Sequence, residues 1–352
     1  MSTPHVVVFG ATGLVGQAAM AAFAQQGFRV TGVSRRGPDI RLDLTDADTC
    51  HEVLSRPRFD DVSHVVFAAL YERPELVPGW RDPVQIETNR MLFDNAVAPL
   101  VSGAELRHVS LLQGTKAYGA HLGPMRVPGR EGDPRPPGPN FYWVQEDRLR
   151  ELAAGHPWVF SILRPQAVCG HAVGSPMNLV IALGVYAAVQ RELGEPLRFP
   201  GGPDYVTEVT DADLLGRAIH WAATTPACAG ETFNVTNGDV LTWRSTVESL
   251  ADVFGMRIGE PRTMSLAREM PQHAPVWDRI VAGHGLTAPP MQSLVGASWQ
   301  FADAAFGYGH VPHHTLVSTV KIRQFGFGEC IDSLDMFRSR LRTLQAKKVL
   351  PP

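Results

Sequence analysis

The chain has few cysteines and no cysteine pattern. Its four, Cys50, Cys169, Cys228 and Cys330, lie far apart, and none stands in a Cys-x-x-Cys pair. That excludes a disulfide framework and a zinc ribbon, fits a reduced cytoplasm as the expected compartment, and leaves no expected metal. There is no excess of basic charge. A formal net charge of −3 over 352 residues leaves no electrostatic footprint for nucleic acid. No long charge run, internal repeat or low-complexity linker interrupts the sequence. The most apolar later stretch, Leu179 to Val189, is too short to span a bilayer, so no membrane partner is expected. The first apolar run is short and stops in a glycine turn, unlike a signal peptide. An apolar fraction of 44% and a charged fraction of 19% describe an ordinary soluble enzyme core, in one large or two intimate domains.

What is present begins at that turn. Val6-Val7-Val8-Phe9 runs into Gly10-Ala-Thr-Gly13-Leu-Val-Gly16, and an Ala-rich stretch at helical spacing follows. Strand, glycine turn, helix is the pattern that holds a dinucleotide pyrophosphate. The first helical N–H groups lack intrahelical partners and sit at the positive end of the helix dipole. Gly10 permits the turn, Gly13 the approach of phosphate, and Gly16 close packing of helix and strand. Thr12, Leu14 and Val15 complete the expected phosphate contacts. The second strand, Phe28 to Val33, ends in Ser34-Arg35-Arg36. An acidic residue there would bind the ribose hydroxyls of NAD, whereas two arginines suit the 2′-phosphate of NADP. Each charge-assisted bond contributes roughly 1.5–3 kcal/mol, enough for a preference of about tenfold to a hundredfold. The expected cofactor is therefore NADPH/NADP+.

Strands are expected at Ile40 to Leu42, Ser63 to Ala69, Leu106 to Leu112 and Val159 to Leu163. Helices alternate with them, including Glu87 to Leu100 with Asn89 on its surface, and one opening at Asn140. This is the βα alternation of a doubly wound parallel sheet, a Rossmann-type α/β fold. Asp43 is placed either to accept a bond from an adenine amino group or to cap the next helix. Leu44 follows it on the cofactor side. Ala68 and Ala69, small residues at a strand's carboxyl end, suit close passage of the cofactor, and Gln113 after the fifth strand lies at the same edge. Residues 1–165 form the expected NADP-binding domain, with the sheet rejoined by about 203–240. Residues 166–202 and 241–352 form an interleaved, mainly helical substrate domain.

One further absence is informative. Short-chain dehydrogenases/reductases commonly carry a Tyr and a Lys four apart on one helix face. Here Glu146 stands four after Tyr142, and Leu122 four after Tyr118. The candidate lysine is Lys116, on the loop after the fifth strand, and it meets Tyr142 only if that loop passes over the start of the Tyr142 helix. Taken alone, Tyr142 reads more readily as a core aromatic and Lys116 as a surface lysine.

With these pieces in order, the chain resembles the progesterone 5β-reductase/iridoid synthase family of atypical extended short-chain dehydrogenases/reductases, as a bacterial-type member. The matching stretches include the glycine turn, Ser34-Arg-Arg36, Asp43-Leu-Thr-Asp46, Gly114-Thr-Lys-Ala-Tyr118, Asn140-Phe-Tyr-Trp143, Arg164-Pro165, Met177-Asn-Leu179 and Phe233-Asn-Val-Thr-Asn-Gly-Asp239. The resemblance places the catalytic lysine on Lys116 and the catalytic tyrosine on Tyr142. It implies NADPH-dependent reduction of an enone or enal, with Tyr142 bonded to the enolate oxygen and Lys116 lowering the phenol's pKa. It also implies a homodimer. Pro165, Ala167 and Val168 would pass near the nicotinamide. Tyr71, Phe141, Met177 and Asn178 are expected at the substrate pocket, and Phe325 either there or simply packed. Two positions depart from the family: Trp143 stands where a second Tyr is frequent, and Gln166-Ala167 where plant members have Gly-Asn. The same pair could serve a ketone or aldehyde, which keeps carbonyl reduction open. A non-catalytic NADP(H) sensor is the third reading, and the presence of both Tyr142 and Lys116 opposes it.

Overall fold

The computed structural model describes residues 3–172 and 174–352. The β-branched run at the start forms β1 (His5–Phe9), buried along its whole length. After it come α1 (Leu14–Gln25), β2 (Arg29–Ser34), β3 (Ile40–Arg41), α2 (Ala47–Leu54) and β4 (Val62–Phe67). The chain continues through α3 (Leu76–Gly79), α4 (Pro83–Gly103), β5 (His108–Leu112), α5 (Phe141–Ala153) and β6 (Val159–Pro165). Then follow β7 (Val168–Cys169), α6 (Leu179–Glu192), β8 (Val206–Thr207), β9 (Thr210–Asp211), α7 (Ala212–Thr224), β10 (Thr232–Val235) and β11 (Leu241–Thr242).

Seven strands form one parallel sheet in the order β10-β6-β5-β4-β1-β2-β3. The order reverses between β1 and β4, the switch point outside which doubly wound sheets bind ligands. On one side of the sheet α7 packs on α1. Gly216 makes that approach possible, since a Cβ there would come within 2.5 Å of the Ala18 carbonyl oxygen.

The chain divides into two compact units. The first runs to Gln166 and takes in Ala212–Thr236 and Val317–Glu329; the second holds Ala167–Asp211, Asn237–Leu316 and Cys330–Pro352. In the second unit α6 is buried from Leu179 to Gln190, with the helices Trp243–Ser249, Ala274–His284, Ser298–Ala305 and Ser333–Ala346 contributing to one apolar cluster around it. Among the described residues its strands make two small ladders, β7 with β9 and β8 with β11.

These boundaries differ from the sequence reading in two places. Residues 203–211 belong to the second unit, because β8 and β9 pair there. Residues 317–329 belong to the first, because Lys321 pairs with Glu231 at 2.6 Å and Phe325 packs edge-on against Phe233 of β10. Helix α4 also begins earlier than expected. Asp82 caps it, accepting from the Val84 and Gln85 N–H groups, and Pro83 occupies its first turn. Asn89 is not on its surface. It is fully buried, and its amide exchanges two 2.9 Å bonds with the Tyr71 backbone.

Candidate active site

The glycine turn is made by the backbone. Gly10 sits at φ +81°, where a Cβ would lie 2.6 Å from the Ala68 carbonyl. A Cβ on Gly16 would lie 2.2 Å from the Gly10 carbonyl oxygen. Gly13 is the residue before α1; its nearest neighbour to an added Cβ is that same oxygen, at 3.4 Å. The first intrahelical donor is the Gln17 N–H, bonded to Gly13 at 3.0 Å, so the Leu14, Val15 and Gly16 donors precede it. No acidic side chain stands in the first turn of α1. The residues present therefore fit a pyrophosphate, held by backbone donors in a cradle that side chains would fill. Ala68 and Ala69 border it through their backbones.

Around the end of β2 the sequence expectations divide. Arg35 and Arg36 are exposed, and among the described residues neither forms an ion pair. Ser34 is held by Thr12, whose hydroxyl lies 3.4 Å away, and by the Gly37 carbonyl. Asp43 does not cap α2: Asp46 does, through the Thr49 N–H. Asp43 instead accepts from the Thr45 N–H and hydroxyl, which hold its carboxyl below the ordinary range. The Leu44 side chain is buried in the core and only its carbonyl is used, by Asn95 at 2.8 Å.

The two separated candidates do come together. Gly114 follows β5, and Lys116 lies on the single 3-10 turn Thr115–Tyr118. Asn140 joins that turn to α5: its side-chain amide donates to the Lys116 carbonyl at 2.7 Å and accepts from the Tyr142 N–H at 3.0 Å. The Lys116 ammonium lies 4.4 Å from the centre of the Trp80 ring, 5.6 Å from Phe141 and 5.7 Å from Tyr142. A Cβ on Gly114 would stand 3.2 Å from the Tyr142 hydroxyl and 3.3 Å from the Pro165 carbonyl oxygen. The missing side chain thus leaves the phenol a crevice. Among the described residues, no group hydrogen-bonds to that hydroxyl.

The electrostatics correct the sequence expectation. Tyr142 is not lowered by Lys116. Burial pushes the phenol up, and the Glu72 carboxylate pushes it further. Burial pulls Lys116 below the ordinary lysine range, while Glu72, 3.5 Å away, acts in the opposite direction. Tyr142 is therefore a neutral donor at any ordinary pH.

A buried polar network holds α5 against β5 and β6. Gln113 donates to the Tyr142 carbonyl at 3.0 Å and to Glu146 at 3.1 Å, and it accepts from Arg164 at 2.7 Å. Its side-chain amide is thus committed to Tyr142, Glu146 and Arg164. Arg164 lies 3.4 Å from Glu146 and is sandwiched between the Tyr118 and Trp143 rings at 5.1 and 5.0 Å. Trp143 therefore has a role a second Tyr would not fill as well: its ring supports the buried guanidinium.

The profile of the NAD dependent epimerase/dehydratase family matches residues 6–236. The chain belongs to that family. An (S)-8-oxocitronellyl enol synthase from Camptotheca acuminata is 29% identical over 98% of this chain and 93% of its own. The short chain dehydrogenase gsfE from Penicillium aethiopicum is 31% identical over 78% of this chain and 76% of its own. Among solved structures, the UDP-glucose 4-epimerase of Thermotoga maritima is alike in fold, with a TM-score of 0.69 at 16% identity, covering 97% of this chain and 99% of that one. The protein is accordingly a nicotinamide-dependent oxidoreductase of the short-chain dehydrogenase/reductase type.

Within this epimerase/dehydratase-family chain the remaining predicted residues separate. Phe141 is buried beside Tyr142, with ring centres 4.4 Å apart. Phe325 packs in an aromatic cluster with Phe233. Ala167, at φ +31°, and Val168 lie in the second unit, where the Ala167 carbonyl accepts from Thr210. So do Met177, at φ +61°, and Asn178. Asn178 is not presented to a ligand: it is buried, caps α6 through the Ile181 N–H and donates to the Ala172 carbonyl. The sequence alone singles out none of Glu72, Trp80 and Gln85, and it puts the buried Asn89 on a helix surface. The Asp82-Pro83 helix start was a usable signal for Gln85 and Asn89, one and two turns into α4; nothing local marks Glu72 as buried. No described helix is long and apolar enough to cross a membrane.

Proposed function

We propose that the protein is an NADPH-dependent reductase of activated C=C bonds, acting on a small enone or enal. The observation that carries this reading is the meeting of Lys116 and a protonated, unengaged Tyr142 hydroxyl at the crevice beside Gly114. Bound NADPH would supply hydride to the β-carbon of the alkene. Negative charge then develops on the substrate's carbonyl oxygen, and a fixed neutral phenol is suited to donate a hydrogen bond to it. Lys116 adds positive charge in a site walled by aromatic rings, where water screens little. Donation to an enolate needs no proton to leave Tyr142, since the α-carbon can take its proton from water, and among the described residues no hydrogen bond offers the phenol a proton relay. Ketone reduction instead takes a proton from the phenol at every turnover, and that proton must then be replaced. The exposed Arg35 and Arg36 support NADPH over NADH through the 2′-phosphate. The homodimer rests on the family resemblance alone, and sedimentation tests it.

The direct test is NADPH consumption across enals, cyclic enones and saturated ketones, with product analysis. Saturated carbonyl products from the conjugated substrates support the proposal. Turnover of saturated ketones to alcohols, with enones reduced only at the carbonyl, replaces it with carbonyl reduction.

A further inference from the structure

Glu72 lies outside every motif in the sequence, yet its side chain is only 5% exposed. It follows the strip after β4 that borders the glycine turn. One carboxylate oxygen accepts a 2.6 Å bond from the Gln85 amide. Gln85 is itself fully buried and fixed, its carbonyl oxygen accepting from the Arg73 N–H at 2.9 Å. The other carboxylate oxygen faces the Lys116 ammonium at 3.5 Å and has no other partner among the described residues. A buried carboxylate with a single neutral donor is costly unless a cation stands beside it. A lysine surrounded by the Trp80, Phe141 and Tyr142 rings is in the complementary position.

We propose that Glu72 is a positioning residue of this site: anchored by Gln85, its carboxylate holds the Lys116 ammonium in place beside Tyr142 and supplies its counter-charge. This rests on the reading of Lys116 and Tyr142 as the catalytic pair. The other charged groups nearby are already committed or neutral. Arg73 pairs with Asp82 at 3.1 Å, and Arg81 donates to the His121 carbonyl at 2.7 Å. His121 is pushed down to about 4, chiefly by burial, with Lys116 and Arg81 adding to the effect, so it is uncharged near neutral pH. Removing the Glu72 charge weakens proton binding by Lys116 and by Tyr142 alike, because both lose the same neighbouring anion. The lysine then sheds its proton at lower pH, and the site loses its positive charge.

The experiment follows the side-chain carbon signals of 13C-labelled lysine against pH by NMR, using the full chain. Only four lysines are present, Lys116, Lys321, Lys347 and Lys348, and Lys116→Met assigns the signal. In Glu72→Gln the Lys116 midpoint is expected to fall by about one to three pH units. Glu72→Asp, which keeps the charge, is expected to restore most of that shift. The alkaline limb of kcat moves down with the midpoint. If Glu72→Gln does not fold by circular dichroism, Gln85→Met carries the test. It keeps the carboxylate but frees it, and the midpoint falls by less. An unchanged Lys116 midpoint in either folded variant overturns the proposal. The titration needs no substrate, so it separates two failures. A shifted midpoint in a protein that reduces no enone keeps the Glu72 assignment and refutes the reaction. Enone turnover with an unshifted midpoint refutes Glu72 alone.

Discussion

At the turn after β1, seven consecutive residues make a binding site out of backbone. At the Lys116–Tyr142 crevice, four separate segments contribute one polar side chain each: Glu72 after β4, Gln85 in α4, Lys116 after β5 and Tyr142 in α5. The first site tolerates no side chains at its tight positions. The second depends on side chains whose positions are fixed by other buried side chains. A backbone site is written locally, in glycine spacing. A side-chain site is written in pairs of residues tens of positions apart, which only the fold brings together.

That contrast predicts how each site breaks. The largest effect is expected in the network that seats Tyr142. Glu146→Leu leaves the Arg164 guanidinium buried without its carboxylate, at a cost of about 3–5 kcal/mol in stability. Chemical denaturation measures it, and a change within error would show that α5 is held by packing alone. Next comes Tyr142→Phe. It is expected to lower kcat by about 10²–10³-fold with NADPH affinity unchanged, because only the donor to the developing oxyanion is lost. A weakened cofactor affinity instead would mean that the two sites are not separable. On the other side of the comparison, Gly10→Ala reverses the pattern: NADPH affinity and stability fall together. The positive φ alone costs up to about 3 kcal/mol, before the contact with Ala68. Fluorescence titration with NADPH and thermal unfolding read it. The smallest effect is at the rim. Arg35→Ser with Arg36→Ser is expected to weaken NADPH by roughly tenfold to a hundredfold while leaving NADH unchanged. Equal losses for both cofactors would remove the 2′-phosphate from the account.

The same contrast explains what the sequence disclosed. The glycine turn, the βα alternation of a parallel sheet, and the places of Lys116 after a strand and Tyr142 at a helix start follow from short-range pattern, while pairing the two comes from the family resemblance. A polar Asn89 reads as a surface residue of its helix, and only the fold shows the Tyr71 backbone that its buried amide satisfies. Gln113 and Asn178 look like ligand contacts in a linear reading, since each is a polar residue near a strand or helix end. Only the three-dimensional neighbours reveal that their amides are committed, one to Tyr142 and Arg164, the other to α6. The expected direction of the Tyr142 shift was wrong for the same reason. Burial and Glu72 outweigh Lys116, and the approach of residue 72 to residue 116 is carried by no local pattern.

The central claim is that a neutral Tyr142 donor and a charged Lys116 stabilise an enolate oxygen. It is tested most directly with NADPH deuterated at the transferable position and a small enone or enal as substrate. Deuterium on the β-carbon of a saturated carbonyl product, lost together with turnover in Tyr142→Phe, is the predicted result. Deuterium found only on a carbinol carbon would contradict it.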